Sequence, residues 1–194
     1  MWVRDFQSSL PATPAHTFVG IDIDPSKFPQ DPPAGTSYQV QDINKPWPED
    51  WKNSFDFVHQ RLAMVGAGPN GQGALKNLSE LVKPGGWIQL IEAENVPEES
   101  DGPAMHDFVQ VMKDIFVFVG AGLKLSHQMA EWLKADGFAD MEERVFVCQM
   151  GATNPNPQLA KQGVFSMGVA ATGLVTFAKS TLSRAILLLC SKPP

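Results

Sequence analysis

The sequence is poor in cysteine and has no run of basic residues, and each absence excludes a class of protein. Two cysteines, Cys148 and Cys190, are too few for a disulfide framework, which favours a reducing, intracellular setting. The net charge of −6 argues against a nucleic-acid partner. The first ten residues, "MWVRDFQSSL", lack the apolar stretch of a signal peptide. We therefore expect a cytoplasmic protein.

Long apolar runs and clustered metal ligands are also absent. The least polar stretch, "QGVFSMGVAATGLVTFA" at 162–178, is uncharged but contains Gly, Ser, Thr and Gln. It is shorter than the roughly 20 apolar residues that a membrane-spanning helix needs, so we expect a buried helix and no membrane partner. No group of His and Cys residues has metal-ligand spacing, so no metal site is predicted.

Two kinds of apolar pattern alternate along the chain. Strand-like runs bounded by Gly, Pro or polar residues occur at 17–24, 37–43, 54–59, 87–93 and 143–150. Helical spacing of apolar residues occurs at 2–10, 71–83, 104–119 and 126–136, the last with Ser126 as the predicted N-cap. Strands that alternate with helices indicate a single α/β domain over 1–194 with a parallel sheet.

The stretch "MVGAGPNGQGAL", residues 64–75, contains a G-x-G-x-x-G pattern that has two interpretations. As a dinucleotide-binding fingerprint, it needs a buried strand that runs directly into Gly66. The preceding residues include Gln60 and Arg61, a poor start for such a strand, and the proline and asparagine inside the pattern indicate an extended turn. A plain connection between a strand and a helix is therefore favoured.

Carboxylates follow two of the strand-like runs. "FVGIDID" ends with Asp22 and Asp24, and "YQVQDI" places Asp42 beside Ile43. A carboxylate at the carboxyl end of a parallel strand is well placed to accept hydrogen bonds from ribose hydroxyls. The alternatives are that Asp22 and Asp24 cap the following turn and that Asp42 is a solvated loop residue.

The order of these motifs over about 1–178 resembles the class I S-adenosylmethionine-dependent methyltransferases, and most of all their branch in fungal secondary metabolism. The most specific segments are "VGIDIDPSKFPQDPP", "SFDFVHQRL" and "LVKPGGWIQLIEAE", and "LKADGFADMEERVFVCQMG" is similar to the family's late helix and strand. The resemblance implies a Rossmann-like sheet with helices on both faces. It also implies a small-molecule substrate, a natural-product intermediate.

The resemblance assigns the cofactor and reaction residues. Asp22 matches the acid that holds the adenosyl ribose, and Asp42 matches the acid that accepts from the adenine amino group. The backbone N–H of Ile43 lies near the ring in that match. His59 and Arg61 match residues that line the methyl-transfer site, and His59 is the nearest candidate for a base. Alternatively, His59 is a packed core histidine and Arg61 pairs with an acid.

Three further residues are assigned to the substrate pocket. Trp87 is the first residue of the strand-like run 87–93, Glu92 lies near its end, and His106 follows the acidic loop after that run. Helices within about 95–130 and 151–185 are expected on the substrate side as a lid. Alternatively, Glu92 belongs to the solvent-exposed rim of the pocket.

One departure from the family concerns its first strand. In the family that strand and a D-x-G-x-G-x-G loop come immediately before the helix that "MWVRDFQSSLPAT" resembles, and the loop holds the methionine part of the cofactor. In the family's sheet, this first strand lies between the two strands that correspond to residues 17–24 and 54–59 of this chain. We therefore expect an N-terminally truncated sheet with two unpaired edges, and weak or absent S-adenosylmethionine binding.

Three functions remain open. The first is a methyltransferase. The second is a cofactor-independent cyclase or isomerase on the same scaffold, which holds one conformer of a reactive intermediate. The third is a non-catalytic interaction module whose open strand edges accept a strand from a partner or a second copy, including a homodimer that completes the sheet.

Overall fold

The computed structural model describes residues 2–94, 96–99, 101–152 and 154–190, with side chains described up to residue 180. The elements in chain order are α1 (Trp2–Ser9), β1 (Phe18–Asp22), β2 (Thr36–Val40), β3 (Phe55–Arg61), α2 (Gly71–Ser79), β4 (Val82–Ile91), α3 (Pro103–Phe118), α4 (Leu125–Ala135) and α5 (Pro157–Cys190). Short 3-10 turns lie at Pro25–Lys27, Glu49–Trp51 and Met64–Asn70.

The four strands form two separate parallel pairs. β1 pairs with β2, and β3 pairs with β4, with a bulge in β4 between the partners of Phe55 and Phe57. The predicted parallel pairing of strands separated by helices or loops is confirmed. The single larger sheet is not formed, because within the described residues β1 and β3 each have one hydrogen-bonded neighbour and leave the other edge unpaired.

Helix α1 packs across both pairs of strands. The ring of Phe6 lies 6.3 Å from that of Phe18 on β1 and 5.4 Å from that of Phe57 on β3, measured between centroids. Trp2 stacks on His59 of β3 with 3.7 Å between ring centroids and an interplanar angle of 7°. Because β1 and β3 share no ladder, these aromatic contacts join the two pairs on this face.

The carboxyl ends of the two pairs face the same region. Asn44, in the turn after β2, donates from Nδ2 to the carbonyl of Gly66 at 3.2 Å. Asn70 donates in turn to Asn44 Oδ1, also at 3.2 Å. Since Gly66 and Asn70 belong to the turn that follows β3, these bonds bring the carboxyl ends of β2 and β3 close together.

The hydrophobic core lies on the other face of the β3–β4 pair. Side chains alternate along β3, so Val58 and Gln60 face this core while Phe57 and His59 face α1. The core is built from α2, α4, β3, β4 and three connecting segments, and its members are Trp47, Val58, Met64, Ala67, Ala74, Leu75, Leu78, Leu81, Val82, Leu125 and Met129. Neither β1 nor β2 contributes a buried residue.

Four details differ from the sequence-based expectations. The helix predicted at 71–83 ends at Ser79, and β4 begins at Val82 instead of at 87. The strand predicted at 143–150 is wrong, because that segment has no ladder partner and stays exposed, with Phe146 77% accessible. The segment 162–178 is helical within α5, but it is not buried. Helix α4 has Lys124 and not Ser126 at its N-cap. Among the residues that the structure describes, no helix combines the length and low polarity needed to cross a membrane.

We predict that Leu75→Ala destabilises the fold by about 2–5 kcal/mol, because Leu75 is fully buried and truncation leaves a cavity. Urea denaturation followed by circular dichroism measures the change. The matched control is Leu123→Ala, since Leu123 is 54% exposed and its truncation should change the free energy of unfolding by less than about 0.5 kcal/mol. Equal losses in the two variants would contradict the placement of the core.

Candidate functional site

Two carboxylates, those of Asp22 and Asp42, lie at the carboxyl edge of the β1–β2 pair. Asp22 is the last residue of β1 and lies opposite Val40, the last residue of β2. The ladder continues by one bond, in which Gln41 N donates to the carbonyl of Asp22 at 3.1 Å. Asp42 follows at once, so neighbouring parallel strands deliver both side chains to the same edge.

Each of these carboxylates is oriented by its own turn. Asp22 Oδ1 accepts from the backbone N–H of Asp24 at 2.9 Å, and Asp42 Oδ1 accepts from that of Asn44 at 2.9 Å. Among the described residues, the other oxygen of each carboxylate has no recorded partner. One oxygen of each carboxylate therefore accepts a hydrogen bond within its own turn. The other oxygen of each remains available to a ligand.

Asp24 has the capping role that the sequence left open. Its Oδ1 accepts from the N–H of Ser26 at 2.9 Å and caps the 3-10 turn Pro25–Lys27. The hydrogen bonds from the Ser26 side chain and backbone lower the pKa of this carboxyl, and Lys27 adds a smaller effect in the same direction. Asp24 is thus occupied locally, which distinguishes it from Asp22.

Ile43 and Asn44 anchor the turn that carries Asp42. The half-buried side chain of Ile43 packs against the core, while Asn44 bridges to Gly66 and Asn70. The glycine-rich stretch 64–75 therefore serves as a connection: a 3-10 turn after β3, followed by α2 from Gly71.

His59 is half-buried on the α1 side of β3, between an aromatic and a polar neighbour. Its ring stacks on Trp2, and its Nδ1 lies 2.9 Å from Gln89 Oε1. Burial lowers the pKa of His59 below its ordinary value; the hydrogen bond to Gln89 opposes this shift, and the positive charge of Arg61 adds to it. A neutral ring that donates from Nδ1 leaves Nε2 as the basic nitrogen.

Glu92 faces inward at the end of β4 instead of lining a solvated rim. Its Oε1 accepts from Gln60 Nε2 at 2.7 Å and from the backbone N–H of Met64 at 3.0 Å. These bonds hold the turn after β3, where Leu62 has a left-handed φ of 53°. Sequence reasoning missed Gln60, which is 6% exposed; its position two residues after the apolar Val58 is the signal that places it on the core face.

The remaining predicted residues do not join the two carboxylates. Arg61 ends β3 as an exposed side chain, and the structure records no acidic partner for it within the described part of the chain. Trp87 pairs with Phe57, about 13 Å along the strand from the carboxyl end of β4, and is 62% exposed. His106 is exposed in the first turn of α3. Their assignments to the site stay predictions.

A second polar cluster links the loop after β4 to α4. Ser126 Oγ donates to Glu94 Oε1 at 2.7 Å, and His127 Nδ1 lies 2.9 Å from the same oxygen. Ser126 and His127 both contact this one oxygen of Glu94 and lie 3.4 Å from each other, Oγ to Nδ1, so the cluster tethers the loop to the start of α4. Within the residues described, no group of three or more His, Cys, Asp or Glu side chains could hold a metal ion.

Comparison with curated proteins identifies methyltransferases. The N-methyltransferase sirN of Leptosphaeria maculans is 36% identical over 161 residues, 81% of this chain and 56% of the relative. The N-methyltransferase gliN of Aspergillus fumigatus is 33% identical over 173 residues, 86% of this chain and 60% of the relative. The methyltransferase psoC of the same species is 30% identical over 185 residues, 94% and 66% of the two chains.

These relatives support the methyltransferase family that the order of motifs resembles. The chain spans about 56–66% of the length of the three relatives named. No protein-family model matches it.

We predict that His59 makes the fold less stable in mild acid. Its pKa in the folded chain lies below the ordinary value of 6.5, so the unfolded chain takes up the proton first. The stability linked to this group is fully present above pH 6.5 and is lost as the pH falls through that value toward the folded pKa. Urea midpoints measured between about pH 8 and pH 5 follow this loss.

The control for this titration is His59→Phe, which keeps a ring for Trp2 to stack on and cannot take up a proton. Its urea midpoint should fall less steeply over the same pH range than that of the unaltered chain. Identical slopes would show that His59 does not carry the effect.

Proposed function

We propose that this chain carries the adenosine half of the cofactor site of a class I S-adenosylmethionine-dependent methyltransferase of fungal secondary metabolism. The observation that carries the proposal is the pair Asp22 and Asp42 at the carboxyl ends of the neighbouring parallel strands β1 and β2. The names of the relatives, of which sirN, gliN and tcpN are N-methyltransferases, support the class and favour a nitrogen of a small molecule as the methyl acceptor.

The described side chains fit the adenosine half of this cofactor. Asp22 has one oxygen engaged by its turn and one available to the ribose hydroxyls, and Asp42 has the same arrangement for the adenine amino group. The Ile43 backbone would lie beside the adenine ring, because its side chain is fixed against the core. The bound cofactor supplies an electrophilic methyl group on sulfur.

The other residues of the proposed reaction lie along β3. His59, whose neutral form is favoured by burial, would accept a proton from the acceptor nitrogen at Nε2. Arg61, exposed at the carboxyl end of the same strand, would orient a carbonyl or anionic group of the substrate. The principal contribution of the protein is to align donor and acceptor, which is worth up to about 7–11 kcal/mol in favourable cases.

The methionine half of the cofactor requires a further element in this proposal. The glycine-rich stretch 64–75 is tied to Asn44 and to the end of α3, where a Cβ on Gly68 would lie 2.7 Å from the Val119 carbonyl. We propose that one more parallel strand lies between β1 and β3 beneath α1, and that the loop after it holds the methionine part.

Two observations support this additional strand. The inner edges of β1 and β3 are unpaired in the described residues, and α1 already contacts both strands through Phe6. The relatives are also longer than this chain. The strand would come from a longer form of the chain, from a partner or from a second copy, and without it we expect weak or absent cofactor binding. The coding sequence upstream of Met1 distinguishes the first source from the other two.

We predict that Asp22→Asn and Asp42→Asn each weaken adenosine and S-adenosylmethionine binding about 10- to 150-fold, because each replaces a charge-assisted hydrogen bond worth about 1.5–3 kcal/mol. Calorimetric titration measures the affinities, on this chain and on a version extended by upstream coding sequence if that encodes the glycine loop.

The matched control is Asp50→Asn, because Asp50 is exposed in the 3-10 turn Glu49–Trp51, away from the carboxyl edge. It should bind as the unaltered chain does. Unchanged affinity in both the Asp22 and Asp42 variants would exclude the proposed site, even if the protein binds the cofactor elsewhere.

A further inference from the structure

The glycine-rich stretch 64–75 does more than connect β3 to α2, because its 3-10 turn holds the side chain of Asn44. Asn44 Nδ2 donates to the Gly66 carbonyl at 3.2 Å, and Asn70 Nδ2 donates to Asn44 Oδ1 at 3.2 Å. A carbonyl only accepts hydrogen bonds, so the contact with Gly66 decides which end of each amide is the donor. Both ends of the Asn44 amide are therefore fixed by one turn.

The backbone of Asn44 in turn orients Asp42. The Asn44 N–H donates to Asp42 Oδ1 at 2.9 Å. The same turn is held a second time by Gln41, whose Nε2 donates to the carbonyls of Asp42 and Pro46 at 3.2 and 3.1 Å. A side chain fixed on the turn after β3 thus places the N–H that orients a carboxylate of the β1–β2 pair.

Asn70 makes this contact instead of capping α2. It occupies the N-cap of the helix, where an asparagine side chain commonly accepts from the first helical N–H groups. Among the described residues, its side chain makes no such bond. The side chain at this position therefore bridges to Asn44, which belongs to the other pair of strands.

Gly73 leaves the space that the Asn70 side chain occupies. A Cβ added at Gly73 would collide with Asn70 Oδ1 and would lie 3.1 Å from its Cγ. Alanine at position 73 would therefore displace the Asn70 amide. The conflict is with the end of a side chain and not with the backbone, so α2 can still form, and alanine has the higher helix propensity.

We propose that Asn44 is a positioning residue for adenine recognition, and that the glycine-rich stretch serves the cofactor site through it. The inference rests on the proposed function, in which Asp42 accepts from the adenine amino group. The two oxygens of a carboxylate are rigidly joined, so the bond from the Asn44 N–H to Oδ1 also sets the direction of Oδ2. The stretch 64–75 thus contributes to the selection of adenine without touching the cofactor.

This role predicts an effect that is confined to the adenine amino group. The ribose is assigned to Asp22, whose carboxylate is oriented by the N–H of Asp24 and not by Asn44. Loss of the Asn44 contact should weaken the binding of adenosine but not that of purine riboside, which has hydrogen in place of the amino group. A purely structural role of Asn44 would weaken the binding of both nucleosides alike.

NMR titration of the full chain with adenosine and with purine riboside tests the proposal. In Asn44→Ala the dissociation constant of adenosine should rise about 3- to 10-fold, while that of purine riboside should change less than about 2-fold. Gly73→Ala should have the same effect, because it displaces Asn70 from Asn44. The double variant N44A/G73A should bind no more weakly than either single variant, since both changes remove the same contact.

The matched control is Gly173→Ala, which adds the same methyl group to helix α5. No described atom lies within 4 Å of the new Cβ, so this variant should bind both nucleosides as the unaltered chain does. Hydrogen exchange without nucleoside gives a second measurement. The Asn44 N–H should exchange at least about 3-fold faster in Gly73→Ala than in Gly173→Ala, because its turn is less restrained.

The outcomes separate this inference from the proposed function. Adenosine binding that Asp42→Asn leaves unchanged, or no binding of adenosine by the unaltered chain, would overturn the assignment of Asp42 and this inference with it. Binding that depends on Asp42 but on neither Asn44 nor Gly73 would overturn this inference alone. Equal losses for the two nucleosides, or an unchanged exchange rate of the Asn44 N–H in Gly73→Ala, would do the same.

Discussion

The architecture depends on one set of aromatic contacts, those that α1 makes with two pairs of strands. Phe6 touches Phe18 on β1 and Phe57 on β3, and Trp2 stacks on His59. No backbone ladder connects β1 with β3 in the described residues, so the relative position of the pairs rests on side-chain packing and on the Asn44 bridge at the carboxyl ends. The proposed site spans both pairs of strands, because Asp22 and Asp42 belong to the β1–β2 pair and His59 to β3.

The elements that sequence reasoning predicted well are those with a local cause. The i, i+4 spacing of Trp2 and Phe6 predicted α1, and the short apolar runs predicted β1 to β3 to within about three residues. The start of β4 was missed, because Val82 and Lys83 belong to this strand and not to the preceding helix. Asp22 and Asp42 were placed at strand ends because parallel strands bring their carboxyl ends together, and the register of β1 and β2 agrees.

The elements that sequence reasoning missed depend on contacts between distant residues. The apolar alternation at 143–150 is typical of a strand, but a strand also needs a neighbour with a free ladder edge, and none lies beside that segment in the described chain. The apolar composition of α5 indicated a buried helix, since a single sequence does not show how much surface is available to cover it. Glu92 has its partners 28 and 32 residues away, so no local pattern reveals its inward orientation.

The core has one further consequence, because it lies entirely on the β3–β4 side. β1 and β2 contain no fully buried residue, and Val19 and Ile21 are 36% and 37% exposed. A unit with so little buried apolar surface opens at lower free energy than the rest of the domain, as a separate cooperative segment. A ligand held by Asp22 and Asp42 would bind the closed form of this unit alone, so occupancy of the site and local folding of the strands that build it are thermodynamically linked.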